Sequence, residues 1–98
     1  MTDLYKDLVE RDGVYYRKLS DVPFSGKVTG LYKGNFKNGK EKGEWVSYWD
    51  YLPYSEFRSK GNYKNGKKEG AWVGYDKDGT LDKEVTGTYK NGVKITDW

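Results

Sequence analysis

The chain has 98 residues, of which 17% are aromatic and only 35% hydrophobic in total, and it carries a formal net charge of +3. That length suits one domain, and the ring content sets it apart from disordered chains, which are poor in aromatics. There is no cysteine and no histidine, which excludes disulfide staples, thiolate metal sites, Ser-His-Asp and Cys-His pairs and a zinc triad. Four Trp, ten Tyr and three Phe must supply most of the burial, each removing roughly 150–250 Å² from water. A thin, aromatic sheet is therefore expected, rather than a helical bundle or an aliphatic sandwich.

Residues 1–23 read as an N-terminal cap. MTDLYKDLVERDG is charged and has no apolar run, so neither a signal peptide nor a membrane span is expected, and the default compartment is the cytoplasm. TDLYKDLV has the pattern of a short helix with Thr2 as its cap, although eight residues are marginal alone. Asp12-Gly13, between LVER and VYYRKL, predicts a hairpin at 12–13. From Gly26, alternate residues Val28, Gly30, Tyr32, Gly34 and Phe36 share one side of a strand. Lys27, Thr29, Leu31, Lys33, Asn35 and Lys37 share the other. The repeat register of residues 24–37 has two alternatives, one matching Gly26, Val28 and Leu31 to Gly43, Trp45 and Tyr48, the other matching Val28–Gly34 to Val85–Gly92.

Beyond that point the chain repeats itself. Phe36, Gly39, Gly43, Trp45 and Tyr48 recur 27 residues later as Tyr63, Gly66, Gly70, Trp72 and Tyr75. A third copy opens at Tyr89-Lys90-Asn91-Gly92, displaced by 26. Inside each unit the period is two: Trp45, Ser47 and Trp49 alternate with Val46 and Tyr48, and Phe57, Ser59, Gly61 and Tyr63 form a similar series. A glycine stands two places before an aromatic in Gly34/Phe36, Gly43/Trp45, Gly61/Tyr63, Gly70/Trp72 and Gly87/Tyr89. Such a glycine leaves a gap that a ring from the next strand covers. Asn38-Gly39, Asn65-Gly66, Asn91-Gly92 and Asp78-Gly79 are positive-φ turn pairs. Pro53 belongs to a YLPY insertion at 51–54 that lengthens one connection.

The expected fold is all-β: an elongated, twisted antiparallel meander of stacked hairpins with single-sheet character, each unit burying its neighbour's ring face. Residues 1–98 make one domain, with the repeats at 24–95 and a tail at 96–98. The positions expected to build the repeat are Gly43, Trp45, Gly61, Tyr63, Gly66, Gly70, Trp72, Gly87 and Tyr89.

The run from Tyr63 to Tyr75, YKNGKKEGAWVGY, and its counterpart from Phe36 to Tyr48 resemble the MORN repeat, most closely a bacterial variant with Gly-x-Trp-x-x-Tyr and Tyr-Lys-Asn-Gly. The resemblance spans about residues 24–95 and implies a stacked-hairpin fold. Bacterial proteins of this look are labelled YwqK-family antitoxins, so it also implies a protein-binding module whose partner is a toxin. MORN repeats elsewhere associate with membranes, but the unit length here departs from the eukaryotic pattern, and lipid binding carries over poorly.

Chemistry-bearing residues are sparse. Asp12, Asp76, Asp78, Glu41 and Glu69 lie in turns or beside lysines, and no two carboxylates stand out as a glycosidase pair. KNGKKEG lacks the spacing of a phosphate loop. The expectation is no catalytic residue, no metal and no cofactor. Lys37, Lys40, Lys64, Lys67, Lys68 and Lys90 flank the repeated turns and would lie along one edge of the sheet. They form either an anion-binding strip, for lipid headgroups or an acidic protein, or a solvated edge that protects exposed β-structure. Glu41, Glu44 and Glu69 dilute the strip, and no strong nucleic-acid signal is present. Tyr48 and Tyr75 fall on the second face of the sheet. With Trp49, Tyr51 and Tyr54 around the insertion, they are the candidate partner-binding residues, since exposed rings mark partner sites. Carbohydrate binding by exposed aromatics is a further reading, and an open sheet edge allows a homodimer.

Overall fold

Period-two alternation and Asn-Gly punctuation become strands and hairpins in the computed structural model, which describes residues 3–50 and 55–97. The strands are β1 (Asp3–Leu4), β2 (Leu8–Arg11), β3 (Val14–Arg17), β4 (Gly26–Thr29), β5 (Tyr32–Lys37), β6 (Lys40–Asp50), β7 (Ser55–Lys64), β8 (Lys67–Gly74), β9 (Gly87–Lys90) and β10 (Val93–Thr96). Eight of them form one sheet in the order β1-β4-β5-β6-β7-β8-β9-β10, and β2-β3 is a separate hairpin. Every neighbour in the large sheet is antiparallel except β1, which runs parallel to β4 through Asp3–Val28 and Leu4–Thr29. Strands about 4.8 Å apart make the stack about as wide as β6 is long, so the molecule is a slab of 39 × 36 × 20 Å. The open register settles as a hairpin that pairs Val28 with Gly34 and Gly26 with Phe36.

The short helix expected near the start does not form. Tyr5–Asp7 make one 3-10 turn between β1 and β2, and Thr2 lies outside the described residues. A helix nucleus is costly over so few residues, whereas pairing with β4 satisfies the backbone of Asp3 and Leu4 at once.

Four turns are alike. Asp12/Gly13, Asn38/Gly39, Asn65/Gly66 and Asn91/Gly92 have positive φ at both central positions, from 51° to 83°, the signature of tight primed hairpins. Asp78-Gly79 departs from the expectation, since only Gly79 has positive φ, 87°. Here the chain closes a wider loop. The Gly79 N–H donates to the Asp76 carbonyl, the Asp76 N–H donates to the Thr80 carbonyl, and the Thr80 hydroxyl donates to Asp78 Oδ1 at 2.6 Å. The Asp78 carboxylate supplies the turn bond that a second positive-φ residue would otherwise replace.

The repeated turns are also stitched together. The Gly39 N–H donates to the Phe24 carbonyl, Gly66 to Glu41 and Gly92 to Lys68, at 2.7, 3.0 and 3.0 Å. Each turn therefore leans on the segment before it.

The ring face is built by one device used twice. In β6, Gly43, Glu44 and Trp45 stand opposite Gly34 alone. In β8, Gly70, Ala71 and Trp72 stand opposite Gly61 alone. These bulges tip each indole back over the glycine of the preceding strand, where a Cβ would fall inside the ring. The indole N–H groups then donate to the next carbonyl, Trp45 to Asn35 at 3.2 Å and Trp72 to Asn62 at 2.9 Å. The covered glycines are thus Gly34 and Gly61. Gly43 and Gly70 have open space around the Cβ position and φ of 74° and 78°. They make the bulge rather than room for a ring, and Gly87 is approached by Lys94 and the Thr96 carbonyl instead of a ring, which corrects the spacing argument at those three positions.

Among the described residues the buried hydrophobic side chains are Leu8, Phe24, Val28, Phe36, Trp45, Trp72 and Tyr89, with Tyr5, Tyr15, Tyr32 and Tyr63 packed against them. The rings meet edge to face along the stack: Phe36–Trp45 at 5.0 Å, Trp45–Tyr63 at 5.9 Å and Tyr63–Trp72 at 5.1 Å. Such pairs contribute about 0.5–1.5 kcal/mol each beyond their area. The N-terminal segment closes the first end of this row. Tyr5 packs on Tyr32 at 4.7 Å and edges onto Trp45, while Tyr15 packs on Phe36 at 4.9 Å.

Candidate functional site: a ring-walled cleft

A cleft of about 200 Å³ opens on the ring face between the N-terminal cover and the 82–85 segment. Its floor is polar. Ser47 and Ser59 face each other across β6 and β7, with their hydroxyl oxygens 2.5 Å apart. Tyr32, Trp45, Tyr63 and Trp72 wall it, and Asp82 and Val85 form the far rim.

Two cations enter this space, and rings hold both. Arg58 is the extra residue of a bulge in β7, since Ser47 pairs with Ser59 and Tyr48 with Phe57. Its guanidinium donates to the Tyr32 hydroxyl at 2.9 Å and lies 4.3 Å from the centre of the Trp49 ring. Lys68, opposite Tyr63 on β8, holds its ammonium 4.7 Å from Trp72 and 5.1 Å from Tyr89. Burial, and then the positive charge of Arg58, lower the Lys68 pKa, and Asp82 opposes them. Among the described residues neither cation is in an ion pair, which the structure forms at Arg11–Asp21, Arg17–Asp3, Lys60–Glu44 and Lys94–Asp97.

The candidate residues from the sequence are distributed over three places. Tyr48 and Tyr75 are brought together through Phe57, with ring centres 6.4 and 5.6 Å from it, and Tyr75 also lines the cleft. The Lys33 ammonium lies over Tyr48 at 5.2 Å. Trp49 is half-buried and donates its indole N–H to the Tyr75 carbonyl at 2.8 Å. Tyr51 and Tyr54 lie outside the described residues. Lys37, Lys40, Lys64, Lys67 and Lys90 are exposed and flank the stitched turns at one end of the sheet. Lys68 is separated from them, half-buried on the ring face. Glu69 turns toward the next hairpin and accepts from the Asn91 N–H at 3.1 Å.

At the other end of the ring row, Glu41 is half-buried, and burial followed by the nearby charge of Glu10 raises its pKa. Burial, then Glu41, pushes Tyr63 up to about 12. The Tyr5 and Tyr15 hydroxyls share a hydrogen bond of 2.9 Å.

Sequence reasoning did not single out Arg58, Asp82, Ser47 or Ser59 as site residues. The serines had a signal, being small and polar on a strand face otherwise made of rings. Arg58 had none, because it reaches this face only through the bulge. Among the described residues no helix is long and apolar enough to cross a membrane. No protein-family model, curated protein or solved structure matches this chain.

Proposed function

We propose that the chain is a MORN-like, non-enzymatic protein-interaction module that receives its partner in the ring-face cleft. The observation that supports this reading is the pair of cations held by aromatic rings instead of acids, above a serine floor. A merely solvated strand face has no reason to keep Arg58 and Lys68 partly desolvated and outside any ion pair among the described residues. Aromatic and Arg groups gathered in one depression are the residue types that anchor protein partners.

The antitoxin version names the partner as a toxin encoded beside this chain. The test is co-expression with the product of the adjacent gene, followed by co-purification and hydrogen-exchange mapping. A stable complex that protects amides around Ser47, Ser59 and Trp72 is expected. An adjacent product that neither binds nor arrests growth when expressed alone removes the antitoxin version. A complex mapped away from the ring face removes the cleft as its site.

A second reading has its own observation, the exposed lysines at the turn end. Anionic lipid binding there predicts association with phosphatidylserine vesicles that weakens steeply with salt. No association at low salt removes it.

A further inference from the structure

We propose that the ring-face cleft is a carboxylate-recognition site, taking an Asp or Glu side chain that a protein partner presents next to an apolar or aromatic residue. This deepens the protein-interaction reading and rests on it.

The donors are already placed. Arg58 spends one N–H on the Tyr32 hydroxyl and stacks on Trp49, which fixes its plane, and its other guanidinium N–H groups have no acceptor among the described residues. A planar guanidinium matches a carboxylate in two-point geometry. Lys68 adds a point charge, positioned by Trp72 and Tyr89. In the Ser47–Ser59 pair one hydroxyl donates to the other, so the second keeps its own hydrogen to donate. The cleft thus offers guanidinium, ammonium and hydroxyl donors.

Charge selects the ligand class. Arg58 and Lys68 together with Asp82, all of which line the cleft, leave one net positive charge. That balances a singly charged carboxylate. A phosphate dianion would exceed it and would meet twice the repulsion from Asp82. The volume, about 200 Å³, admits a side chain rather than a helix or strand. The walls of Tyr32, Tyr63 and Trp72 suit an apolar neighbour of the acid.

The test is an NMR titration of the whole chain with N-acetyl-Asp-Phe-amide, its Asn counterpart and inorganic phosphate. Saturable shifts of the Trp45 and Trp72 indole N–H signals and the Ser47 and Ser59 amides are expected with the Asp dipeptide. The Asn dipeptide should bind about tenfold more weakly, the loss of a charge-assisted hydrogen bond. Arg58→Gln and Lys68→Gln should each weaken the Asp dipeptide by about tenfold while keeping native signal dispersion. Asp82→Asn should tighten it, and its remaining Oδ1 still accepts from the Glu84 N–H. Equal binding of the two dipeptides, phosphate shifting the same signals as strongly, or wild-type affinity in both cation variants each overturns the proposal. A protein complex that survives both cation variants also overturns it, yet leaves the interaction module standing. Dipeptide binding with no protein complex does the reverse.

Discussion

At the scale of single residues, two glycine roles that look alike in the sequence differ in physics. Gly61 is flat against the Trp72 ring, whereas Gly70 has open space where a Cβ would stand and is held at positive φ. Gly61→Ala should therefore cost about 1–3 kcal/mol through overpacking, and Gly70→Ala about 1–2 kcal/mol through the left-handed backbone. Urea denaturation of each variant with and without Trp72→Leu separates the two. The Gly61→Ala penalty should shrink when the indole is gone, and the Gly70→Ala penalty should not. Glu41 makes a second residue-scale prediction. Its carboxyl titrates above the ordinary glutamate value because burial disfavours the charged form. The neutral form is thus the one the fold prefers. That preference is satisfied below the ordinary glutamate range, about pH 4, and is lost as pH rises through the raised value. Glu41→Gln should stabilise the protein at neutral pH, and the gain should fade on acidification. Equal stability of the two proteins at pH 7 contradicts this.

At the scale of elements, the hairpin turns do more than reverse the chain. Gly39, Gly66 and Gly92 sit at turn tips, where amides ordinarily exchange quickly, but each donates to a carbonyl of the preceding segment. Their amides should exchange markedly more slowly than that of Gly79, whose bond closes only its own loop. Hydrogen exchange read by NMR checks this directly. The turns were legible because Asn-Gly is a local code, complete within two residues. The tiling of rings over glycines was legible in outline, since period two places both on one face. Which glycine lies beneath each ring was not, because the bulges at Gly43 and Gly70 shift the register without changing the spacing. Asp78-Gly79 misled for the opposite reason, as the Asp78 side chain and Thr80 reorganise the loop. The cleft was the least legible part. It depends on Arg58 crossing faces at a bulge and on residues from β5 to β9 meeting across the sheet, none of which a two-residue period encodes.

At the scale of the whole molecule, cohesion is uneven. The β6–β7 ladder runs from Gly43–Tyr63 to Asp50–Ser55. The β8–β9 ladder covers only Gly70–Tyr89 to Trp72–Gly87, and β1 holds β4 through two pairs. Local opening should therefore be graded, with β6 and β7 amides protected close to the global limit and β9 and β10 opening at lower free energy. Uniform protection across all eight strands of the sheet contradicts this. The cover at the opposite end works differently. Tyr5 and Tyr15 close the first rings by side-chain packing, so that end should resist opening more than its short β1 ladder alone allows.

The stitching and the tiling share a direction. Trp45 rests on Gly34, Trp72 on Gly61, the Gly66 amide on Glu41 and the Gly92 amide on Lys68. Every one of these supports lies earlier in the chain than the group it carries. A ribosome delivers residues in that same sequence. Each hairpin emerging from the exit tunnel thus meets its template already outside, and the order of synthesis is the order of support. Tyr5 is one exception, since Tyr32, Phe36 and Trp45 follow it, and Trp49 is another, its indole N–H resting on the later Tyr75 carbonyl. The Tyr5 segment must therefore wait for strands made after it before it finds its place.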